Sequence, residues 1–556
     1  MSKAKTIHNH AGSPFGVVSI LFGTVLLLAF SGCFSPYKGS EGTLTLSLGG
    51  DRTTRAGWDI ETDNADYEHT VILEGPGGTI TQTFAKGTTT ASFQLGAGKW
   101  NVTVRDMGAR PQDGNNPDYP YSTSDFPDTM LKALGYADVE IKAGQITSAP
   151  VYMVTATEVF TADQLTTALG NTYNPASEGL DEYILIANDI VIDSLSSLSL
   201  LSGTVTLVAD KDVHFTRGLD NSNYIFDVEG GQLILGRPGM KGKLFMDGRQ
   251  SSGTAPPTSG PNPFVYVAQG ASLVMNDNVF LIYNNCGSSG GAIYVYEGYF
   301  TMNGGTISNN TTTTTLGNGG AVYVDRGYFT MNGGTISNNT TTLGNGGAVY
   351  VYGDNVAVGT FNMVGGSITG NNAIGSSSYG GGVYVNQYGY FIMGNNAVVS
   401  GNTADNGGGV YVLSRGFTAS GGKITGNTAT SKGGGVYVDG AFLMAGNTVV
   451  SGNSAVVGGG VFVNSGNFYI AGGTVYGKGS SGNTAFGAAL AKDPGFTSNY
   501  VQYGKYDVTD GWVWYDIDVS STYLDAGITF FGTDTTISIS NGQHDISLSD
   551  IPNAGL

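Results

Sequence analysis

The stretch Gly407-Gly-Gly-Val-Tyr-Val-Leu-Ser-Arg-Gly-Phe-Thr-Ala-Ser-Gly-Gly-Lys-Ile-Thr-Gly-Asn427 is followed after five residues by Gly433-Gly-Gly-Val-Tyr-Val438, where the pattern begins again. Its first triplet recurs as Val265-Tyr-Val267, Ile293-Tyr-Val295, Val322-Tyr-Val324, Val349-Tyr-Val351, Val383-Tyr-Val385, Val410-Tyr-Val412, Val436-Tyr-Val438 and Val461-Phe-Val463. The starts lie 28, 29, 27, 34, 27, 26 and 25 residues apart. A second triplet follows each from Ile293-Tyr-Val295 on, Phe300-Thr-Met302 to Phe468-Tyr-Ile470, and then a segment ending in Asn, as in Ile307-Ser-Asn-Asn310 and Val450-Ser-Gly-Asn453.

Three short strands per ~27 residues, divided by Gly and Asn corners, describe one coil of a parallel β-helix. Corners call for positive φ, which Gly takes freely and Asn more readily than most residues. Alternation puts both valines of Val-Tyr-Val on one face and the tyrosine on the other. Equivalent residues on successive coils then stack at ~4.7–4.9 Å and form ladders. A propeller needs about 40 residues and four strands per blade, so the period favours the coil. The expected fold is all-β: a right-handed parallel β-helix of about ten or eleven coils, ~45–55 Å long, over residues 156–498.

Gly-Gly-Ala-Ile at 290–293, with Gly-Gly-Ala-Val at 319–322 and 346–349, resembles the repeats of chlamydial polymorphic membrane proteins. Those pair a Gly-Gly-Ala-Ile motif with an upstream Phe-x-x-Asn motif. Here the upstream position is aliphatic, as from Ile424 to Asn427, over about 200 residues of chain. The resemblance implies a pectate-lyase-like β-helix on a cell surface and an adhesive role. Those proteins also carry a carboxy-terminal membrane barrel, and the ~65 residues after the repeats here are fewer than such a barrel needs.

Two ladders are candidates for function. The outward ring ladder Tyr266, Tyr294, Tyr323, Tyr350, Tyr384, Tyr411, Tyr437 and Phe462 could bind an extended glycan or a partner surface, because tyrosine offers an aromatic face and a hydroxyl. The competing account is that the rings stack on one another and cover the sheet. The Asn ladder, read as Asn285, Asn310, Asn339, Asn371, Asn402, Asn427, Asn453 and Asn483, is expected to be architectural, each amide bonding a corner and the next amide.

Catalysis finds little support. Between Cys286 and Leu490 there are five acids (Glu297, Asp325, Asp354, Asp405, Asp439) and five bases. Asp325 and Asp439 share a repeat position but lie four coils apart, roughly 19 Å, whereas paired catalytic carboxylates sit ~5–9.5 Å apart. By register no acid pair qualifies, and the histidines (His8, His10, His69, His214, His544) show no metal or triad spacing. No cofactor or metal is expected. The loop from Lys241 to Asp247 and Arg249 gathers charge beside a Pro-rich excursion and reads as solvated.

Outward from the repeat, residues 1–33 carry Lys3 and Lys5, an apolar run from Phe15 to Phe30, then Ser31-Gly32-Cys33. This resembles a bacterial lipoprotein signal, with Phe30 where Leu is usual, and implies lipidation of Cys33. Residues 34–155 alternate with period two in Thr43–Leu48, His69–Leu73, Thr79–Phe84, Thr90–Leu95, Trp100–Val104 and Ala137–Ile141, which predicts a small antiparallel β-sandwich. Leu95–Val104 resembles the turn and strand of transthyretin-like or immunoglobulin-like modules, usually spacers or binding modules. Thr161-Ala-Asp-Gln164 fits a capping box that opens a helix covering the first coil, and residues 499–556 are expected to form a β cap.

Composition agrees. The 89 glycines of 556 residues cluster in the repeats, 12% of residues are charged, and the net charge of −19 argues against nucleic acid. With Cys33 and Cys286 as its two cysteines, no disulfide framework is available. The expectation is an exported monomer, lipid-anchored at the outer membrane or cell surface, with an adhesive or structural role toward a glycan or a host or cell-surface protein. The alternative is a polysaccharide lyase or hydrolase.

Overall fold

A computed structural model describes residues 41–50, 67–109, 129–171, 181–193, 197–218, 222–248, 261–315, 317–375, 377–414, 416–476, 483–485, 490–492, 501–507 and 511–516. The signal segment and Cys33 lie outside the described residues.

The repeats form a parallel β-solenoid of about ten turns. In the first sheet, eleven strands from Leu198–Leu200 to Leu490–Lys492 stack in parallel, with Val265, Ile293, Val322, Val349, Val383, Val410, Val436 and Val461 in one column. The second sheet stacks Phe300, Phe329, Phe361, Phe391, Phe417, Phe442 and Phe468, all at most 1% exposed, with ring centroids 4.5–4.9 Å apart. Burying each such ring contributes about 1.5–3 kcal/mol relative to exposing it, so this column is a main source of stability. The third sheet sends Ile307, Ile336, Ile368, Val399, Ile424 and Val450 into the same core.

From the Val265 coil onward, eight coils add a fourth, short strand to the three expected, and in two of them the second and third run on as one, Gly359–Thr369 and Gly389–Ser400. The fourth is a two-residue strand after the Asn corner, such as Thr311–Thr312 or Thr340–Thr341, in an eight-stranded parallel sheet. Thr312 and Thr341 turn inward and donate to the Gly317 carbonyl at 2.7 and 2.8 Å, which closes the corner.

The glycine runs before each Val-Tyr-Val serve two purposes. Gly407 has φ +64°, the left-handed conformation expected of a corner. Gly408 does not; a Cβ there would lie 2.4 Å from the Thr428 carbonyl oxygen and 2.7 Å from that of Gly434, so close approach of the next coil excludes a side chain.

The amino-terminal sheet comprises β1 (Glu41–Gly50), β2 (Glu68–Gly75), β3 (Gly78–Phe84), β4 (Thr90–Gly96), β5 (Gly98–Ala109), β6 (Thr129–Ile141) and β7 (Ile146–Val159). The expected sandwich is realised as one nearly closed sheet in the order β3-β2-β5-β6-β7-β1-β4, antiparallel except at β1–β7. Alternate residues of six strands (Leu44, Leu46, Val71, Leu73, Phe93, Leu95, Trp100, Val102, Val139, Ile141, Met153) fill its interior. Trp100 lies so close to Gly75 that a Cβ there would be 2.3 Å from the indole.

β7 joins the two regions without a linker. Its first half pairs with β1 and β6, and Ala156–Val159 pairs in parallel with β8 (Asp181–Ile186), the start of the second solenoid sheet. The boundary expected between residues 155 and 156 therefore falls inside a strand. Helix α1 (Ala162–Asn171) follows, with Leu165, Ala168 and Leu169 buried against the strands Ile190–Ile192 and Leu198–Leu200. Thr161 caps the helix, its Oγ1 accepting from the Gln164 N–H at 3.3 Å, and Gln164 Oε1 reaches back one residue past the cap to accept from the Phe160 N–H at 2.7 Å. At the other end, Val501–Asp507 continues the second sheet and Gly511–Asp516 folds back antiparallel on it.

Candidate functional site

The tyrosine column stands on the outer face of the first sheet, since both flanking residues of each Val-Tyr-Val point inward. Successive rings from Tyr266 to Tyr437 lie 4.7–5.5 Å apart and within 20° of parallel. Ring faces are therefore taken up by neighbouring rings, and edges and hydroxyls are what the column presents outward.

The column divides in two. Tyr350, Tyr384, Tyr411, Tyr437 and Phe462 are 7%, 6%, 5%, 8% and 2% exposed, and Tyr352, Tyr379, Leu413 and Val457 pack against them. Tyr379 lies 4.7 Å from the Tyr411 ring, and Lys432 Nζ sits 4.7 Å over the Phe462 ring. Tyr266, Tyr294 and Tyr323 stay partly exposed, with Tyr224 tilted against Tyr266 at 5.0 Å to end the stack. An eight-rung binding face was expected; three rungs of it are accessible.

Charge gathers beside these three. Arg326 reaches Asp325 (Nε to Oδ1, 2.9 Å), Glu297 (3.1 Å) and Asp354 (3.4 Å), and its guanidinium lies 4.9 Å from the centre of the Tyr296 ring. Sequence register suggested that no acids of the repeats meet. Glu297 aligns with Arg326 on the next coil because Val295 pairs with Val324, and Asp354 arrives from a turn of the coil after, so three acids converge on one cation. Glu297 and Arg326 have φ of +51° and +55°, where non-glycine residues cost about 1–2 kcal/mol. Hydrogen bonds from the Ala357 and Val356 amides, with Arg326 nearby, hold the Asp354 carboxyl below the usual carboxylate range.

Hydroxyls of the column engage these acids. Tyr294 donates to Asp325 Oδ2 at 2.8 Å, and Tyr411 donates to Asp439 Oδ2. Burial, then the adjacent carboxylate, pushes the Tyr294 hydroxyl well above the ordinary phenol range, so it stays a donor. Below Tyr266 the column holds Asp227, whose Oδ1 is buried without a hydrogen-bond partner. Burial and then Glu229, two residues on, push its carboxyl up to about 6.

The amides of the Asn ladder bond one another from coil to coil, and the first rung is Asn284 where the sequence suggested Asn285. Asn284 is 1% exposed and its main-chain N–H donates to Asn310 Oδ1 at 2.9 Å, whereas Asn285 pairs with Thr311 in the fourth sheet. From Asn310 to Asn453 each Nδ2 donates to the Oδ1 of the next rung at 2.9–3.0 Å, ending on Asn483. The Asn284 Oδ1 has no partner, because the preceding coil offers Gly248 at this place.

Two further groups escaped sequence reading. His69 and Asp106, 37 residues apart, are directly opposed on β2 and β5 with Nδ1 2.6 Å from Oδ1. Both are 1% exposed, which closes the pair to a substrate. Lys241, in the loop read as solvated, pairs with Glu74 of β2 at 2.6 Å. Among the described residues, no group of three His, Cys, Asp or Glu side chains is placed to hold a metal ion. His8, His10, His544 and Arg249 lie outside the described residues.

Comparison of the chain with protein-family models, with curated proteins and with solved structures found no match.

Proposed function

We propose that the chain is an exported lipoprotein, attached through Cys33 at the outer membrane or cell surface, with a non-enzymatic adhesive or structural role. The kinship with chlamydial polymorphic membrane protein repeats, carried by the Gly-Gly-Ala-Ile and Ile-x-x-Asn motifs, is part of this proposal. The observation that carries it is the state of the first-sheet face. Its rings are stacked on each other and its central acids are bound to Arg326, which leaves the ring edges of Tyr266, Tyr294 and Tyr323 and the hydroxyls of Tyr266 and Tyr323 as contacts for a glycan or protein. The shared strand β7 supports the same reading, since it ties the amino-terminal sheet to the coils through one continuous strand.

Asp227 favours a second reading, a polysaccharide lyase or hydrolase. A carboxyl raised to about 6 by burial and by Glu229, with its Oδ1 buried and without a hydrogen-bond partner, has the character of a general acid. A glycan array combined with reducing-sugar and unsaturated-product assays on the chain from residue 34 onward separates the two. Binding without turnover is expected; turnover abolished by D227N would establish the second reading. Metabolic labelling with palmitate tests the anchor, with incorporation expected in the wild type and lost in C33A.

A further inference from the structure

β3 is an edge strand. It pairs with β2 from Gly75↔Gly78 to His69↔Phe84 and with no other strand among the described residues. Residues 78–83 are exposed on both faces. The strand Gly78-Thr-Ile-Thr-Gln-Thr-Phe84 carries no charge, no proline and no bulge, the devices by which edges are usually kept apart.

The turn sets which groups face outward. In a two-residue hairpin the flanking pair, here Gly75 and Gly78, is hydrogen-bonded, and bonded pairs alternate along the strands. Gly78, Ile80 and Gln82 therefore turn their main-chain groups to β2, and Thr79, Thr81 and Thr83 turn theirs to the open side. Thr70 and Thr83 then form a non-bonded pair, the kind with closest side chains, and their hydroxyls lie 3.2 Å apart.

We propose that two copies of this chain associate through antiparallel β3–β3 pairing about a two-fold axis at Thr81. In that register Thr79 of each copy faces Thr83 of the other, Thr81 faces its own counterpart, and Ile80 faces Gln82. Every outward main-chain group between Thr79 and Thr83 is then bonded at once, with threonine opposite threonine, a favourable cross-strand pair. The contact is isologous, so it closes at a dimer. Charge selects this place: a net charge of −19 sets copies against one another, and β3 is free of it. The reading departs from the monomer expected from sequence.

Sedimentation velocity of the chain from residue 34 onward, from micromolar to millimolar concentration, tests it. T81P removes an outward N–H at a position where an edge tolerates proline, leaving the bonds of Ile80 and Gln82 to β2, and raises the dimer dissociation constant at least about tenfold. T79K/T83K sets like charges in the outer pairs and does the same. T79K/T83E sets opposite charges there and retains the dimer, which a misfolded variant would not do. A wild type monomeric throughout, a dimer indifferent to T81P and T79K/T83K, or assembly growing past the dimer overturns the proposal. Loss of the dimer in T79K/T83E as complete as in T79K/T83K also overturns it, because the register would be wrong.

Discussion

The early coils of the solenoid, through Tyr323, and the later ones, from Tyr350 to Phe462, are built from the same repeat yet end in different surfaces. In the later coils each Asn from Asn371 to Asn453 bonds the rung beyond it, and the tyrosines are roofed by Tyr379, Leu413 and Val457. In the early coils Asn284 and Asp227 each keep a buried oxygen without a partner, and three tyrosines remain partly exposed. A ladder stabilises through the rung on either side, so its end is where polar groups go unmet and where a surface is free to engage something else. Repetition supplies stability; interruption of the repeat supplies the candidate site.

The Asn rungs give the largest test of this difference. N402A leaves the Asn371 N–H and the Ile368 carbonyl without the bonds they make to Asn402, all within the buried ladder. The expected cost is about 3–4 kcal/mol by urea unfolding. N284A, at the unmatched end, removes bonds to the Asn262 and Gly291 carbonyls and is expected to cost about half as much, ~2 kcal/mol. Equal costs would erase the distinction between end and interior.

The rings come next. Y384A opens a cavity between two stacked neighbours, and about 3 kcal/mol is expected. Y294A, at a partly exposed rung, is expected to cost ~1 kcal/mol, because its loss leaves Asp325 still bonded to Arg326.

The smallest effect is at Asp227 and depends on pH. Its folded value, about 6, lies above the ordinary carboxyl value, so the folded chain holds the proton more tightly than the unfolded one. Stability from this group is full below pH ~4 and declines as pH rises to ~6. D227N should therefore stabilise at pH 7.5, by ~1 kcal/mol once solvent screening at this half-buried site is allowed for, and leave stability at pH 4 nearly unchanged. Thermal melts at both values check it; destabilisation at pH 7.5 would mean that Asp227 has a partner.

Much of this architecture was legible in the sequence. The 25–34-residue period and the Val, Phe and Asn columns name the solenoid, because each coil repeats one side chain at one place. What escaped depends on register between distant residues. Asn284 and Asn285 are consecutive asparagines, and pairing with the next coil alone decides which is the rung. The Thr-Thr strand is too short to alternate. The roof over Tyr384 and Tyr411 comes from corner residues that follow no repeat pattern, such as Tyr379. The acids around Arg326 meet because a turn at 353–358 brings Asp354 back toward the coil before it. The lengthened spacing of 34 residues to the next coil is the one sequence trace of such irregularity.

Binding to a glycan array and to cells, compared between wild type and Y266A/Y294A/Y323A on the chain from residue 34 onward, tests the central claim most directly. Loss of binding in this triple variant, with Y384F retaining it, is the expected result. Binding unchanged in the triple variant would contradict the account.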